Sequence, residues 1–183
     1  MSSTPLLTFN NEKDLINSSL LVGPDARTAY YTISTTFHKK PFRLERRHTT
    51  TITSVSTGLV GSIDWEEKVF VINGLGRRWD DVRVKDSRKR FFFTWADFPT
   101  YKLEFHDRLR ELTATPVTGG PAVQFRGYHP KPFHMSQTNP ASISFPHQMQ
   151  DEVEKMFLLI SIVYTDVKRL DAARAAAMAV AVS

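Results

Sequence analysis

The 183-residue sequence contains no cysteine. This absence excludes disulfide bridges, thiolate nucleophiles, cysteine-ligated zinc and iron–sulfur clusters. A chain without disulfides needs no oxidising environment, so the composition favours a reducing compartment and we expect a cytoplasmic protein. The alternative left open is a secreted protein that folds without cross-links.

The sequence also lacks a signal for membrane insertion. Met1–Phe9 has no basic group and only a two-residue apolar run, which is not typical of a secretory signal. Near the other end, Met156–Tyr164 is nine residues long, with Ser161 as its only polar break. Because a membrane-spanning helix needs about 20 apolar residues, the sequence predicts no transmembrane segment, and any contact with membranes would be peripheral.

No repeat and no linker rich in proline or glycine divides the chain, so we predict one domain over residues 1–183. Apolar and polar residues alternate strictly in Tyr101–His106, and the same period of two recurs in 59–66, 123–126 and 142–145. Such alternation is typical of half-buried antiparallel strands. We therefore expect strands over about 5–146 and a single helix over about 148–178.

The predicted helix is apolar on every side over Met156–Tyr164. A helix on a protein surface has one apolar stripe, whereas a helix that is apolar all round must be enclosed. The sequence therefore predicts a sheet that curls around the helix. The alternative is that a membrane or a partner protein covers it.

A family resemblance rests on five short segments in a fixed order, and it extends from about Leu6 to Arg174. They resemble an uncharacterised basidiomycete fungal domain of unknown function, and the segments are Tyr31–Thr35, Thr49–Ile52, Gly61–Trp65, Phe93–Trp95 and Ile162–Arg169. That family is more distantly similar to the tubby C-terminal-like superfamily, which includes LURP-one-related proteins and phospholipid scramblases. The resemblance implies a mainly β fold: a closed antiparallel barrel of about a dozen strands around a hydrophobic C-terminal helix. Tubby proteins bind phosphoinositide headgroups through basic residues, but that site has no residue-by-residue match here.

Basic clusters are the main candidates for function in a chain of net charge +5. The candidate anion-binding residues are Lys39, Lys40, Arg43, Arg46, Arg47, Arg77, Arg78, Arg88, Lys89 and Arg90. Such cations can pair with phosphate, although lysine and arginine also protect sheet edges from association. The leading hypothesis is a non-catalytic binding or scaffold domain that recognises anionic phospholipid headgroups or a protein partner through basic loops.

Aromatic residues beside the last basic cluster suggest an alternative function. Phe91-Phe92-Phe93 follows Arg90, and such a surface stacks bases in proteins that bind single-stranded nucleic acids. If Phe91 and Phe93 face the interior, only Phe92 is free to stack. With the opposite orientation, Phe91, Phe93 and Trp95 would form an exposed stripe for association or for a ligand.

Motifs of catalysis are missing, and we predict no catalytic residue, metal or cofactor. Gly74-Leu75-Gly76 lacks the third glycine of a dinucleotide fingerprint and is interpreted as a hairpin turn. The six histidines show no zinc-ligand spacing. A second alternative is a hydrolase, which would require the fold to bring together His106, Asp107, His129 and His134.

Overall fold

The computed structural model describes residues 6–11, 14–22, 28–38, 46–87, 89–106, 109–127 and 140–182. In these residues the chain is mainly β, with thirteen strands, a one-turn helix and a long C-terminal helix. The elements are β1 (Leu6–Phe9), β2 (Ser18–Val22), β3 (Ala29–His38), β4 (Arg46–Ser54), β5 (Val60–Asp64), β6 (Val69–Ile72), β7 (Leu75–Arg78), α1 (Trp79–Val82), β8 (Arg83–Lys85), β9 (Arg90–Phe93), β10 (Tyr101–His106), β11 (Glu111–Pro116), β12 (Val123–Arg126), β13 (Ser142–Ser144) and α2 (Glu152–Val182).

All thirteen strands belong to one antiparallel sheet. Strands β1 to β7 follow one another across half of the sheet, and β8 to β13 do the same across the other half. The two halves join where β1 pairs with β13, with Leu7 opposite Ile143. The hairpin between β6 and β7 turns at Asn73 and Gly74, which both have positive φ (51° and 78°). This geometry suits a tight hairpin. The predicted hairpin turn is thus confirmed at Gly74, whereas Leu75 and Gly76 already belong to β7.

The edges of the sheet are β7 and β8, which α1 connects directly along the chain. Within the described residues these two strands do not pair, so the hydrogen bonding does not close into a ring, and the closed barrel stays a prediction. Side chains cover the seam instead. Trp79 and Val82 of α1 are buried, and the Arg77 guanidinium lies 5.6 Å from the centre of the Trp95 ring.

The alternating residues occupy the faces that their period predicts. Gly61 and Ile63 in β5 are buried, as are Tyr101 and Leu103 in β10. In and after β9, Phe93 and Trp95 are buried and Phe91 packs against the core. The interpretation of Phe91, Phe93 and Trp95 as an exposed stripe is therefore wrong.

The first half of α2 is the centre of the core. Asp151 caps it by accepting hydrogen bonds from the N–H groups of Val153 (2.8 Å) and Glu154 (3.0 Å). Every residue from 156 to 167 is buried. A helix that is buried on all sides over three turns must be surrounded by protein, so the prediction of an enclosed helix is confirmed.

Ser161 and Thr165 are two of the polar side chains in the buried part of α2, and both are satisfied within the helix. The Ser161 hydroxyl donates to the Phe157 carbonyl (2.8 Å), and the Thr165 hydroxyl donates to the Ser161 carbonyl (2.7 Å). Bonding to the preceding turn removes the cost of burying an unpaired hydroxyl. Serine therefore does not interrupt the core at this position.

Beyond Val167 the helix leaves the sheet and continues to Val182, four residues past the predicted end. Its side chains are partly or fully exposed from Lys168 to Val180. They include large apolar groups, since Met178 is 64% exposed and Val180 is 76% exposed. No helix in the described part of the chain has both the length and the apolarity that crossing a membrane requires.

Candidate anion-binding groove

A groove of about 670 Å³ lies where α2 leaves the sheet. One wall is formed by the edge strand β8 and the next two strands of the sheet, β9 and β10, and the other by the emerging turns of α2. The groove is lined by Arg83, Lys85, Lys89, Phe91, Phe105, Tyr164, Thr165, Lys168, Arg169, Ala172, Ala173 and Ala176. Five of these side chains are cationic, and none is acidic.

Strand alternation explains how β8 supplies two of the cations. Arg83 pairs with Phe93 across the strands, and Lys85 pairs with Phe91. Directly paired residues share a face of the sheet, so both cations lie on the face that elsewhere carries the core. Inward-pointing charge is one way to protect an edge strand. That role does not explain the three further cations that Lys89 and α2 bring to the same groove.

Helical spacing supplies the opposite wall. Lys168 and Arg169 lie one turn after Tyr164 and Thr165, and all four residues line the groove. The two cations are the first charged residues after the enclosed apolar part of the helix, apart from the buried Asp166. Lys168 and Arg169, which end the buried part of the helix, thus also bring positive charge to the groove.

Aromatic rings hold the cations without neutralising them. The Arg83 guanidinium lies 4.2 Å from the centre of the Phe91 ring, and the Arg169 guanidinium lies 4.6 Å from that of Phe105. The Lys168 ammonium is 5.2 Å from the centre of the Trp79 ring. Cation–π contacts of this kind orient a charged group and leave its N–H donors available.

Carboxylates balance only part of this charge. Arg169 binds Asp166 with an N–O distance of 2.8 Å. Among the described residues, Arg83, Lys85 and Lys168 have no carboxylate within 4.0 Å. Uncompensated cations in a concave site focus a positive potential on whatever enters it. The groove is therefore suited to an anion.

Tyr164 is the largely buried aromatic residue among those that line the groove. Tyr164 is 3% exposed, and burial raises the pKa of its hydroxyl, while the nearby Arg83 lowers that pKa and Asp80 raises it. The phenol is thus neutral at physiological pH and keeps its proton for hydrogen bonding. It can donate to an anionic oxygen in the groove.

The basic residues singled out from the sequence are dispersed. Lys39, Lys40, Arg43 and Arg88 lie outside the described residues. Lys89 lines the groove. Arg90, by contrast, forms ion pairs with Asp86 (3.3 Å) and Glu104 (3.7 Å).

The candidates on β4 and β7 lie outside the groove lining. Arg47 binds Asp171 in a bidentate pair (2.7 and 3.0 Å). Arg46 is exposed at the start of β4, and Arg77 and Arg78 are exposed on β7. Of the described candidates, only Lys89 lines the groove. The other cations of the groove are residues that were not among the candidates.

Four of the groove cations were missed by the sequence reasoning: Arg83, Lys85, Lys168 and Arg169. A signal was available for each pair. Arg83-Val84-Lys85 places two cations on one face of a strand, and Lys168-Arg169 follows an enclosed apolar run. Nothing local indicated that the two pairs face each other.

The histidine site considered for a hydrolase is only partly described. His106 is exposed, and its Nε2 lies 3.2 Å from the Thr113 hydroxyl. Asp107, His129 and His134 lie outside the described residues.

Comparisons with protein-family models, with curated proteins and with solved structures gave no match.

Proposed function

We propose that this chain is a non-catalytic binding domain that recognises phosphorylated lipid headgroups at a membrane surface through the groove. The observation that carries the proposal is the convergence of Arg83, Lys85, Lys89, Lys168 and Arg169 on one concavity without an acidic lining residue. Phosphate oxygens accept hydrogen bonds from guanidinium and ammonium groups with high strength.

The helix beside the groove favours a lipid over a soluble phosphate. Ala172, Ala173 and Ala176 form one wall, and the same helix continues outward to the exposed Met178 and Val180. Surface binding to membranes combines apolar insertion with attraction to anionic headgroups. Here the two contributions come from adjacent parts of one element.

Nucleic acid fits this site less well. Phe91 lies under Arg83, and Phe93 is buried, so neither ring is free to stack on a base. Of the three consecutive phenylalanines only Phe92 lies on the other face of β9, away from the groove cations.

Two finer expectations belong to the same proposal. We infer a tubby-like barrel, because the two sheet edges are joined by the four-residue α1 and the enclosed helix is buried on all sides. We infer a cytoplasmic site of action, because phosphoinositide headgroups face that compartment and the chain has no cysteine. An experimental structure and fluorescence microscopy of the tagged protein test these two points.

The decisive experiment is sedimentation with phosphatidylcholine vesicles, with and without a phosphoinositide. We expect binding only to the phosphoinositide vesicles, weakening as salt rises. A double variant, Lys85→Gln with Lys168→Gln, should bind about thirty-fold more weakly, at about 1 kcal/mol for each lysine near the surface. The matched control is Lys102→Gln with Arg126→Gln, which removes the same charge from residues that pair with Glu104 and Glu111 outside the groove.

A second pair of measurements separates a membrane from a free phosphate. Met178→Asp with Val180→Asp should weaken vesicle binding and leave the binding of a soluble inositol phosphate unchanged. Equal binding to neutral and phosphoinositide vesicles would overturn the proposal, as would equal losses in the groove and control variants. Retention of labelled single-stranded RNA in place of vesicles would support the nucleic-acid alternative.

A further inference from the structure

A cluster of two histidines and one glutamate lies near the start of β4, outside the groove lining. It consists of His38, the last residue of β3, His48 in β4, and Glu66 in the turn after β5. Each side chain offers one ligand atom, and these atoms all lie within 4.8 Å of one another. The two imidazole rings are perpendicular with centroids 4.2 Å apart.

A register shift between β3 and β4 creates the cluster. Thr35 pairs with Thr50 and Phe37 pairs with Arg47. Between these pairs β3 therefore contributes only Thr36, while β4 contributes two residues, His48 and Thr49. An extra residue in one strand reverses the faces of the residues that follow it.

The shift separates the roles of two adjacent residues. Arg47 reaches α2, where it binds Asp171 (2.7 Å) and lies 5.6 Å from the centre of the Trp65 ring. His48 meets His38 and Glu66 instead. The bulge thus places one residue against the helix and the next in the cluster.

Glu66 is held by its own turn. The Asp64 carboxylate accepts hydrogen bonds from the backbone N–H groups of Glu66 (3.0 Å) and Glu67 (2.8 Å). This side-chain contact is an Asx-type turn, which fixes the direction of the following residues. The Glu66 carboxylate lies 3.5 Å from Nδ1 of His48.

The ring nitrogen of His48 that faces Glu66, Nδ1, lacks a hydrogen-bond partner among the described residues. Nδ1 of His48 is buried and makes no hydrogen bond with the described residues. The 3.5 Å separation from Glu66 is too long for a charge-assisted hydrogen bond. A buried ring nitrogen without a partner is costly, and coordination of a metal ion would remove that cost.

We propose that His38, His48 and Glu66 bind a divalent transition metal ion, with Zn²⁺ as the ion that fits best. Two imidazoles and one carboxylate are a ligand set that zinc accepts, with a fourth position left for water. Tetrahedral zinc sites hold nitrogen and oxygen at about 2.0–2.2 Å, which sets the ligand atoms about 3.3–3.6 Å apart. The ligand atoms here lie within 4.8 Å of one another, so the widest pair must approach by at most about 1.5 Å. His38 and Glu66 are exposed, so the core does not hold these two side chains in place.

The predicted effect of the ion is to tie three neighbouring strands together. His38, His48 and Glu66 belong to β3, β4 and the turn after β5, so one ion would link all three. Binding to the native state alone raises the stability of that state. Zn²⁺ should therefore raise the unfolding midpoint of the full chain.

The test is calorimetric titration of the full chain with zinc chloride after removal of metal by a chelator. We expect one ion per chain and a higher thermal midpoint when zinc is present. His48→Gln and Glu66→Gln should each weaken the affinity at least tenfold, since even residues that only orient metal ligands typically contribute about 10–100-fold. His106→Gln is the matched control, because His106 is an exposed histidine of β10 outside the cluster.

Glu66→Gln keeps the test decisive if His48→Gln does not fold, because Glu66 is exposed. Unchanged zinc affinity in Glu66→Gln, or an equal loss in His106→Gln, would overturn the proposal. Binding of phosphoinositide vesicles by the same variants should be unaffected. A failure of the metal site is thereby distinguishable from a failure of the proposed function.

Discussion

Gly61 and Met156 are so close that no side chain fits between them: a Cβ atom on Gly61 would lie 2.7 Å from Cγ of Met156. The same atom would lie 2.7 Å from Cδ1 of Ile160. Strand β5 and the enclosed part of α2 thus touch through a residue without a side chain. Gly61 does not have a positive φ, so backbone conformation does not explain the glycine. The close approach of strand and helix does.

Gly61→Val should destabilise the fold by about 1–3 kcal/mol, because overpacking forces the surrounding core to shift. Urea unfolding followed by circular dichroism measures the free energy of unfolding. Gly76→Val is the control, since a Cβ atom on Gly76 would meet its nearest atom, Cγ1 of Val69, at an ordinary 3.5 Å. Equal losses in the two variants would contradict a specific contact between helix and strand.

Leu159→Asp should remove most of the stability of the domain. Leu159 is fully buried within α2, so the substitution places an unpaired carboxylate in the core. We expect a loss of about 4 kcal/mol or more. Ala175→Asp is the control on the same helix, at a position that is exposed, and it should leave the unfolding midpoint nearly unchanged. An unchanged unfolding midpoint in Leu159→Asp would contradict the enclosure of α2 by the rest of the chain.

The enclosed helix was predictable because its signal is local. Nine consecutive residues with one polar break require burial on every side, whatever surrounds them. The strands were predictable for the same reason, since alternation is read over a few residues. Tyr101 and Leu103 are buried as their parity predicts.

The groove was not predictable because its parts are remote in sequence. Arg83 and Lys168 meet only because β8 is the edge of the sheet and α2 emerges beside it. The metal cluster depends on a single register shift opposite Thr36. Neither the sheet order nor the shift has a signature in the residues that form the site.

Two tyrosines anchor the start of α2 and should ionise late. The Tyr31 hydroxyl donates to Glu152 (3.1 Å), and the Tyr101 hydroxyl donates to Glu154 (2.7 Å). Burial first, and then the adjacent carboxylate, raises the pKa of both phenols. The native state therefore favours the neutral form. The resulting stability is present below the ordinary tyrosine pKa of about 10 and is lost as the pH rises beyond it.

Absorbance titration of tyrosinate checks this prediction. We expect a late phase in the native protein and a single phase near pH 10 in urea. Tyr101→Phe should reduce the amplitude of the late phase, because it removes one of the protected phenols. An undiminished late phase in Tyr101→Phe would mean that this phenol is not protected by burial.

The last prediction concerns Asp166, which is buried beside the groove and binds Arg169 (2.8 Å). Burial raises the pKa of its carboxyl, and Arg169 opposes this shift without reversing it. A raised pKa means that the fold favours the protonated form. The stabilisation that comes from the protonated Asp166 carboxyl is complete below the ordinary aspartate pKa of about 3.9. It is lost as the pH rises through the higher pKa of the native state.

We therefore expect burial of the Asp166 carboxylate to cost stability at neutral pH, although this carboxylate holds Arg169 at the groove. Asp166→Asn keeps the shape and an oxygen that can accept from Arg169. The variant should be more stable than the original at pH 7, with a difference that shrinks toward pH 4, as urea unfolding across this range would show. The control is Asp171→Asn, which breaks a partly exposed pair with Arg47 and should cost about 0–1 kcal/mol. A less stable Asp166→Asn at neutral pH would mean that the ion pair outweighs the burial of its carboxylate.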